Sequence, residues 1–183
     1  TRFTLLFDPG RLKSGLKPRR EVGPPLKTRD DFVLLVSAEW LDSRGRALVA
    51  GFRKNFTVTP PDHESPSSTL WELTPPPAES RQPLEVRLGE PLDEALLHHM
   101  LWILNESGER VSGNVEIADG ERLWRYQPRE PWEPGRYLLQ VNPRLEDRAG
   151  NSIAKPFEVD LSRGEASAPT DEPVGLPFVV DPP

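Results

Sequence analysis

The chain has 183 residues and a formal net charge of −6, with acidic and basic side chains mixed along its length. Duplex binding needs clustered Lys and Arg, and the most basic run, residues 11–20, reads as a solvated loop, so no nucleic-acid partner is expected. There is no Cys, which excludes disulfides, thiol nucleophiles and cysteine–zinc sites, and no apolar run is long enough to span a membrane. With 22 Pro and 13 Gly, the chain disfavours long helices and favours short strands joined by many turns.

In chain order, residues 1–60 read as one unit. Arg2 to Pro9 begins it as a strand, residues 10–31 form a long loop, Phe32 to Val36 is a strand, Asp42 to Gly45 is a turn, and Phe52 to Phe56 is a second strand. The same pattern returns 105 positions later: Phe32-Val-Leu-Leu-Val36 falls on Tyr137-Leu-Leu-Gln-Val141, Asp42-Ser-Arg-Gly45 on Asp147-Arg-Ala-Gly150, Leu48 on Ile153, Phe52 on Phe157 and Phe56 on Leu161. A strand, turn and strand at one offset mean two copies of one domain type.

Residues 61–68 are rich in Pro and Ser and read as a linker. The second copy, residues 69–162, is the complete one. Thr69 to Leu73 is expected as its first strand, and Leu84, Val86 and Leu88 alternate as the buried side of the next. Asp93 N-caps a short helix over residues 94–98, since its carboxylate accepts free amides of the first turn. Strands follow at residues 100–104 and 111–117, a hairpin at Asp119-Gly120, a strand carrying Leu123, Trp124 and Tyr126, a corner at residues 131–135, the strand to Val141, the turn Asp147 to Asn151, and a closing strand at Phe157 to Leu161. Residues 163–183 read as a Pro-rich tail whose apolar end, Val174 to Val180, is either a disordered terminus or a strand added to an open edge. The fold class is therefore all-β: tandem antiparallel β-sandwiches, the first incomplete at its N-terminal side, with an open edge near Thr1 to Phe7 and at Phe32 to Val36.

The order Glu90-Pro-Leu-Asp93, Tyr126-Gln-Pro128, Pro134-Gly135-Arg-Tyr137 and Asp147-Arg-Ala-Gly150-Asn151 resembles the bacterial Ig-like domain of S-layer and envelope proteins over Leu70 to Leu161. The first copy matches only the later motifs, with Arg46 where that family usually has Asn. The resemblance implies an extracytoplasmic β-sandwich used as spacer, scaffold or binding module, and it carries no shared catalytic residues.

Candidate sites are few. His63, His98 and His99 lack a nucleophile motif beside them, so no catalytic residues are assigned. His98, His99 and Met100 have the ligand types copper uses, and a related family of periplasmic copper carriers has a similar layout; the reading preferred here is one exposed and one packed His at a helix end. Asp147 and Asn151 offer two oxygens toward calcium but are expected to hold the turn, Asn151 by tolerating positive φ. Among five Trp, Trp102 and Trp124 are expected in the core, while Trp71 and Trp132 flank Pro-rich corners and are the candidate ligand surface. The expected function is a non-enzymatic, extracytoplasmic protein without cofactors, meeting a protein partner or itself through the open strand edge. The alternatives are a carbohydrate- or copper-binding module and an accessory domain of a larger secreted enzyme.

Overall fold

The computed structural model describes residues 17–23, 25–155 and 171–183. The chain divides into two units, Thr1–Pro61 and Asp62–Pro183. The described residues are mostly β, with antiparallel pairing throughout. The expected strand at Arg2 to Pro9, the open edge at Thr1 to Phe7 and the closing strand at Phe157 to Leu161 lie outside the described residues, as does the start of the basic run, residues 11–16.

In the second unit, four strands form one sheet in the order β3 (Glu72–Thr74), β4 (Leu84–Arg87), β7 (Leu123–Pro128), β6 (Gly113–Ala118). A second sheet runs β5 (Leu101–Leu104), β8 (Gly135–Val141), β9 (Val174–Val180). Alternate residues of both sheets feed one core: Leu84, Val86 and Trp124 from the first, Leu101, Ile103, Leu139, Val141 and Val180 from the second. Leu84, Val86 and Leu88 are buried as their period-two spacing predicts. Gly113 opens β6 because β7 passes too close for a side chain there: an added Cβ would lie 2.4 Å from the Gln127 carbonyl oxygen. Asp93 caps the helix Glu94–Leu97 by accepting from the Leu96 amide.

Several expectations are corrected. Thr69 to Leu73 is not one strand. A 3-10 turn, Ser68–Leu70, comes first, closed by the Trp71 amide on the Ser68 carbonyl, and only then does β3 begin. Residues 62–68 are not a free linker, because Pro66 and Ser68 are buried in the second unit. The hairpin loop at Asp119-Gly120 spans four residues, since Ala118 pairs with Leu123, and Asp119, Gly120 and Glu121 all take positive φ. Inside the expected long loop, Lys17–Val22 is helical.

The tail is a strand of the second unit. β9 pairs with β8 from Gly135↔Val180 to Val141↔Val174, burying Phe178 and Val180. In the first unit β1 (Asp31–Val36) pairs with β2 (Phe52–Thr57) from Asp31↔Thr57 to Val36↔Phe52. The two ladders superimpose in register: Val36↔Phe52 corresponds to Val141↔Val174, and Phe32↔Phe56 to Tyr137↔Phe178. Phe32 and Phe56 stack at 5.8 Å and 22°, Tyr137 and Phe178 at 5.3 Å and 17°. Hence the partners of Phe52 and Phe56 in the second copy are Val174 and Phe178, not Phe157 and Leu161. The constant offset holds through the turn to Leu48 and Ile153, whose amides bond to the Trp40 and Leu145 carbonyls, and ends after them, where the second copy has a longer connection.

Candidate functional site

The turn that follows each repeated strand is the most densely hydrogen-bonded feature shared by the two units. In the first, Asp42 Oδ1 accepts from the amides of Arg44 (2.8 Å) and Arg46 (3.0 Å), and the Asp42 amide donates to the Arg46 carbonyl. In the second, Asp147 Oδ1 accepts from Ala149 (2.7 Å) and Asn151 (2.9 Å), and the Asp147 amide donates to the Asn151 carbonyl. Gly45 and Gly150 take the left-handed position of each turn, at φ 72° and 90°. Asn151 therefore serves differently from the expectation: glycine supplies the positive φ, and the Asn151 side chain donates to Asp147 Oδ2 at 2.8 Å and to the Asp62 carbonyl at 3.3 Å. Arg46 fills the same role in the first copy, its guanidinium donating to Asp42 Oδ2 through Nε (2.9 Å) and Nη2 (2.7 Å). Hydrogen bonds from the Arg46 amide and then the Arg46 guanidinium hold the Asp42 carboxyl below its ordinary range against an opposing effect of burial, and the Arg44 amide adds a lesser share.

Around the second turn the fold gathers a group that sequence spacing does not reveal. Asp62, Glu90 and Asp147 place carboxylate oxygens within 4.8 Å of one another. They come from three places: the start of the second unit, the segment after β4, and the turn after β8. An isolated bridge between Leu92 and Asp147 and the hydrogen bond from Asn151 to Asp62 draw these together. Burial raises the Glu90 carboxyl above its ordinary range, and the charges of Asp147 and Asp62 add to this, while Arg122 opposes them. Calcium takes six to eight oxygen ligands. Asp147 already accepts from two amides and the Asn151 side chain, and Asn151 turns its donor toward the carboxylate, so this pair is committed to the turn.

His98 and His99 end the helix with ring centroids 6.4 Å apart, and both are exposed, so the expected packed histidine is not found. Met100 is half-buried and packs against the core.

The aromatic surface differs most from expectation. Trp132 is 2% exposed, donates from Nε1 to the Gln82 carbonyl at 2.8 Å, and sets its edge against the Tyr137 and Phe178 rings. Trp71 is also buried. Neither offers an open ring face for stacking. Trp124 is buried as expected, with Nε1 bonded to the Leu97 carbonyl. Trp102 is not in the core: Leu101 and Ile103 take the inward positions of β5, and Trp102 lies outward beneath the Arg110 guanidinium at 5.0 Å.

Exposed apolar side chains gather instead in the first unit. Trp40 is 48% exposed, whereas Leu145, at the same place in the repeat, is fully buried. Val33, Leu35 and Phe52 are also exposed, and Phe32, Leu34 and Val36 are half-buried, although Leu139 and Val141, the counterparts of Leu34 and Val36, lie in the second unit's core. Among the described residues of the first unit none is buried. The repeat contained this signal: inward positions were recognisable by alignment with Tyr137, Leu139 and Val141. No protein-family model matches the chain, and no curated protein matches it.

Proposed function

We propose that this chain is a non-catalytic protein-interaction module of the bacterial Ig-like sandwich type, working outside the cytoplasm. One observation carries the reading. Two copies of the same strand, turn and strand have the same hydrogen bonds and register, yet one copy is covered and the other presents its apolar residues. A clustered apolar surface that includes a large aromatic, Trp40, and a strand ribbon is characteristic of contact with another polypeptide. The turn Asp42 to Arg46 beside it is held by its own side chains.

Light scattering on the full chain across a concentration series tests the reading, alongside a chain carrying Leu35→Lys, an outward substitution on β1. The expected result is a mass that rises with concentration and falls back to the monomer value in the variant. A strict monomer whose β1 amides exchange as slowly as those of β8 would mean that β1 is already covered within the chain, and the reading would be abandoned.

A further inference from the structure

Acidic and basic side chains are interleaved along the chain, but the two units do not share them equally. Residues 1–61 hold 12 Lys and Arg against 6 Asp and Glu, a formal charge of +6; residues 62–183 hold 11 against 23, a formal −12. Charged side chains stay at the surface of a folded protein unless they are paired, so each unit carries its sign outward. Pairing sharpens the contrast. In the second unit Arg81, Arg87, Arg125, Arg144 and Arg148 each meet a carboxylate of that unit, while Glu64, Glu72, Glu79, Glu106, Glu133 and Glu172 are exposed. In the first unit Lys27, Arg29, Arg44, Arg53 and Lys54 are exposed and make no ion pair among the described residues.

One face of the ribbon of β1 and β2 gives this charge a place. Residues directly opposite each other in an antiparallel pair stand on the same face, and the next pair stands on the other. Leu35 is opposite Arg53 and Val33 is opposite Asn55, so these four share a face, and all four are exposed. The repeat identifies that face. The matching pairs in the second unit are Gln140 with Gly175 and Leu138 with Pro177, on the side of the sheet turned away from the buried Leu139, Val141, Phe178 and Val180. It is therefore the outer face, whatever packs on the side of Phe32 and Phe56. Where the second unit has Gly175, with no side chain, the first has the Arg53 guanidinium.

Resting on the proposed interaction module, we infer that this outer face, Val33, Leu35, Arg53 and Asn55, docks on the acidic second unit of another copy of the chain. Charge complementarity selects the occupant. An acidic surface is the complement of Arg53, and every copy brings one in its second unit. A free polyanion approaching the same face is repelled by the −12 that the chain also carries. Arg suits the role, because a planar, weakly hydrated guanidinium enters an interface readily beside apolar groups such as Leu35 and Val33. The two surfaces differ, so the contact is heterologous. Each pair of copies keeps one basic and one acidic surface free, and assembly continues head to tail beyond a dimer.

Light scattering on the full chain, over a concentration series at two salt concentrations, reads the contact. From 0.1 to 1 M sodium chloride the screening length falls from about 10 to about 3 Å, and the association constant should fall about tenfold. Arg53→Glu should lower it about tenfold at the lower salt. Lys54→Glu makes the same change of charge one residue on, on the opposite face of the ribbon, and should alter it less than about twofold. Circular dichroism of both exposed-site variants checks that they fold as the parent does. Association that is equal or stronger at 1 M salt would make the contact an apolar one and overturn this inference while the interaction module stands. Equal losses in the two variants would move the attraction off this face and overturn its assignment. A strict monomer at 0.1 M salt would remove the second copy as occupant, and the interaction module falls with it only if the β1 amides also exchange as slowly as those of β8.

Discussion

Glu90 sits in an environment that opposes its charge. Burial comes first among the causes, and Asp147 and Asp62 stand close by. Its raised folded-state pKa means that the folded protein holds the proton more tightly than the unfolded chain does. Stability is then unaffected by this group below the ordinary carboxylate value of 4.5 and declines as pH rises from there through the raised value. Glu90→Gln removes the charge and keeps the shape. The variant should be more stable than the parent at neutral pH in urea unfolding, and the difference should vanish below about pH 4. A variant less stable at pH 7 would show that the carboxylate is held by a favourable partner, and would reopen the cluster as a cation site. Asp42 has the opposite sign, since its lowered carboxyl adds stability that disappears as pH falls through the folded value. The same turn thus tolerates Arg46 in one copy and Asn151 in the other because either donor reaches Oδ2 of the aspartate. The difference is one of setting: Arg46 is exposed, while Asn151 is buried and also ties Asp62 into the unit.

At the scale of elements, β9 completes the sheet of the second unit. Its Phe178 is 6% exposed, stacks on Tyr137 and meets the edge of Trp132, whereas Phe56 in the matching position of the first unit is only half-buried against Phe32. Phe178→Ala should therefore cost about 3–5 kcal/mol, in the range of buried Phe truncations. Phe56→Ala should cost distinctly less, because less of its surface leaves water on folding. Two urea titrations read by tryptophan fluorescence decide this, and equal losses would mean that Phe56 is as enclosed as Phe178. Much of the second unit was legible in the sequence. The spacing of Leu84, Val86 and Leu88, the Asp93 cap and the strand Tyr137 to Val141 are local signals, written within a few residues of where they act. The apolar end Val174 to Val180 left a disordered terminus and an added strand both open, and it gave no neighbour. Pairing is a long-range choice, and a constant offset pointed to Phe157 to Leu161 because alignment does not register the longer connection. Trp102 was misplaced for a related reason: an alternating strand fixes two faces, and only packing against Leu139 and Val141 decides which one is inward. The carboxylates of Asp62 and Glu90 were invisible as partners of Asp147 because three distant segments bring them together.

For the molecule as a whole, the division of the chain has an energetic counterpart. Among the described residues, the buried hydrophobic side chains of the core lie between Trp71 and Val180, on the second unit's own strands and corners. Burial of apolar surface is the main favourable term in folding, at about 25 cal/mol per Å². A unit that holds such a core in its own residues should fold without the other. The boundary matters, because Asp62 supplies the carbonyl that receives Asn151 and Pro66 and Ser68 are buried, so a fragment must start at Asp62 and not at the Thr69 that the sequence suggested. Residues 62–183 produced alone should unfold in one cooperative transition at the same urea midpoint as the main transition of the full chain, with the near-ultraviolet signal of Trp71, Trp124 and Trp132 retained. A fragment starting at Thr69 should unfold earlier, having lost the Asp62 tether and the buried Pro66 and Ser68. If the fragment from Asp62 also lost its cooperative transition, the core would depend on residues of the first unit. An unchanged midpoint would show that the second unit's core is held by its own residues.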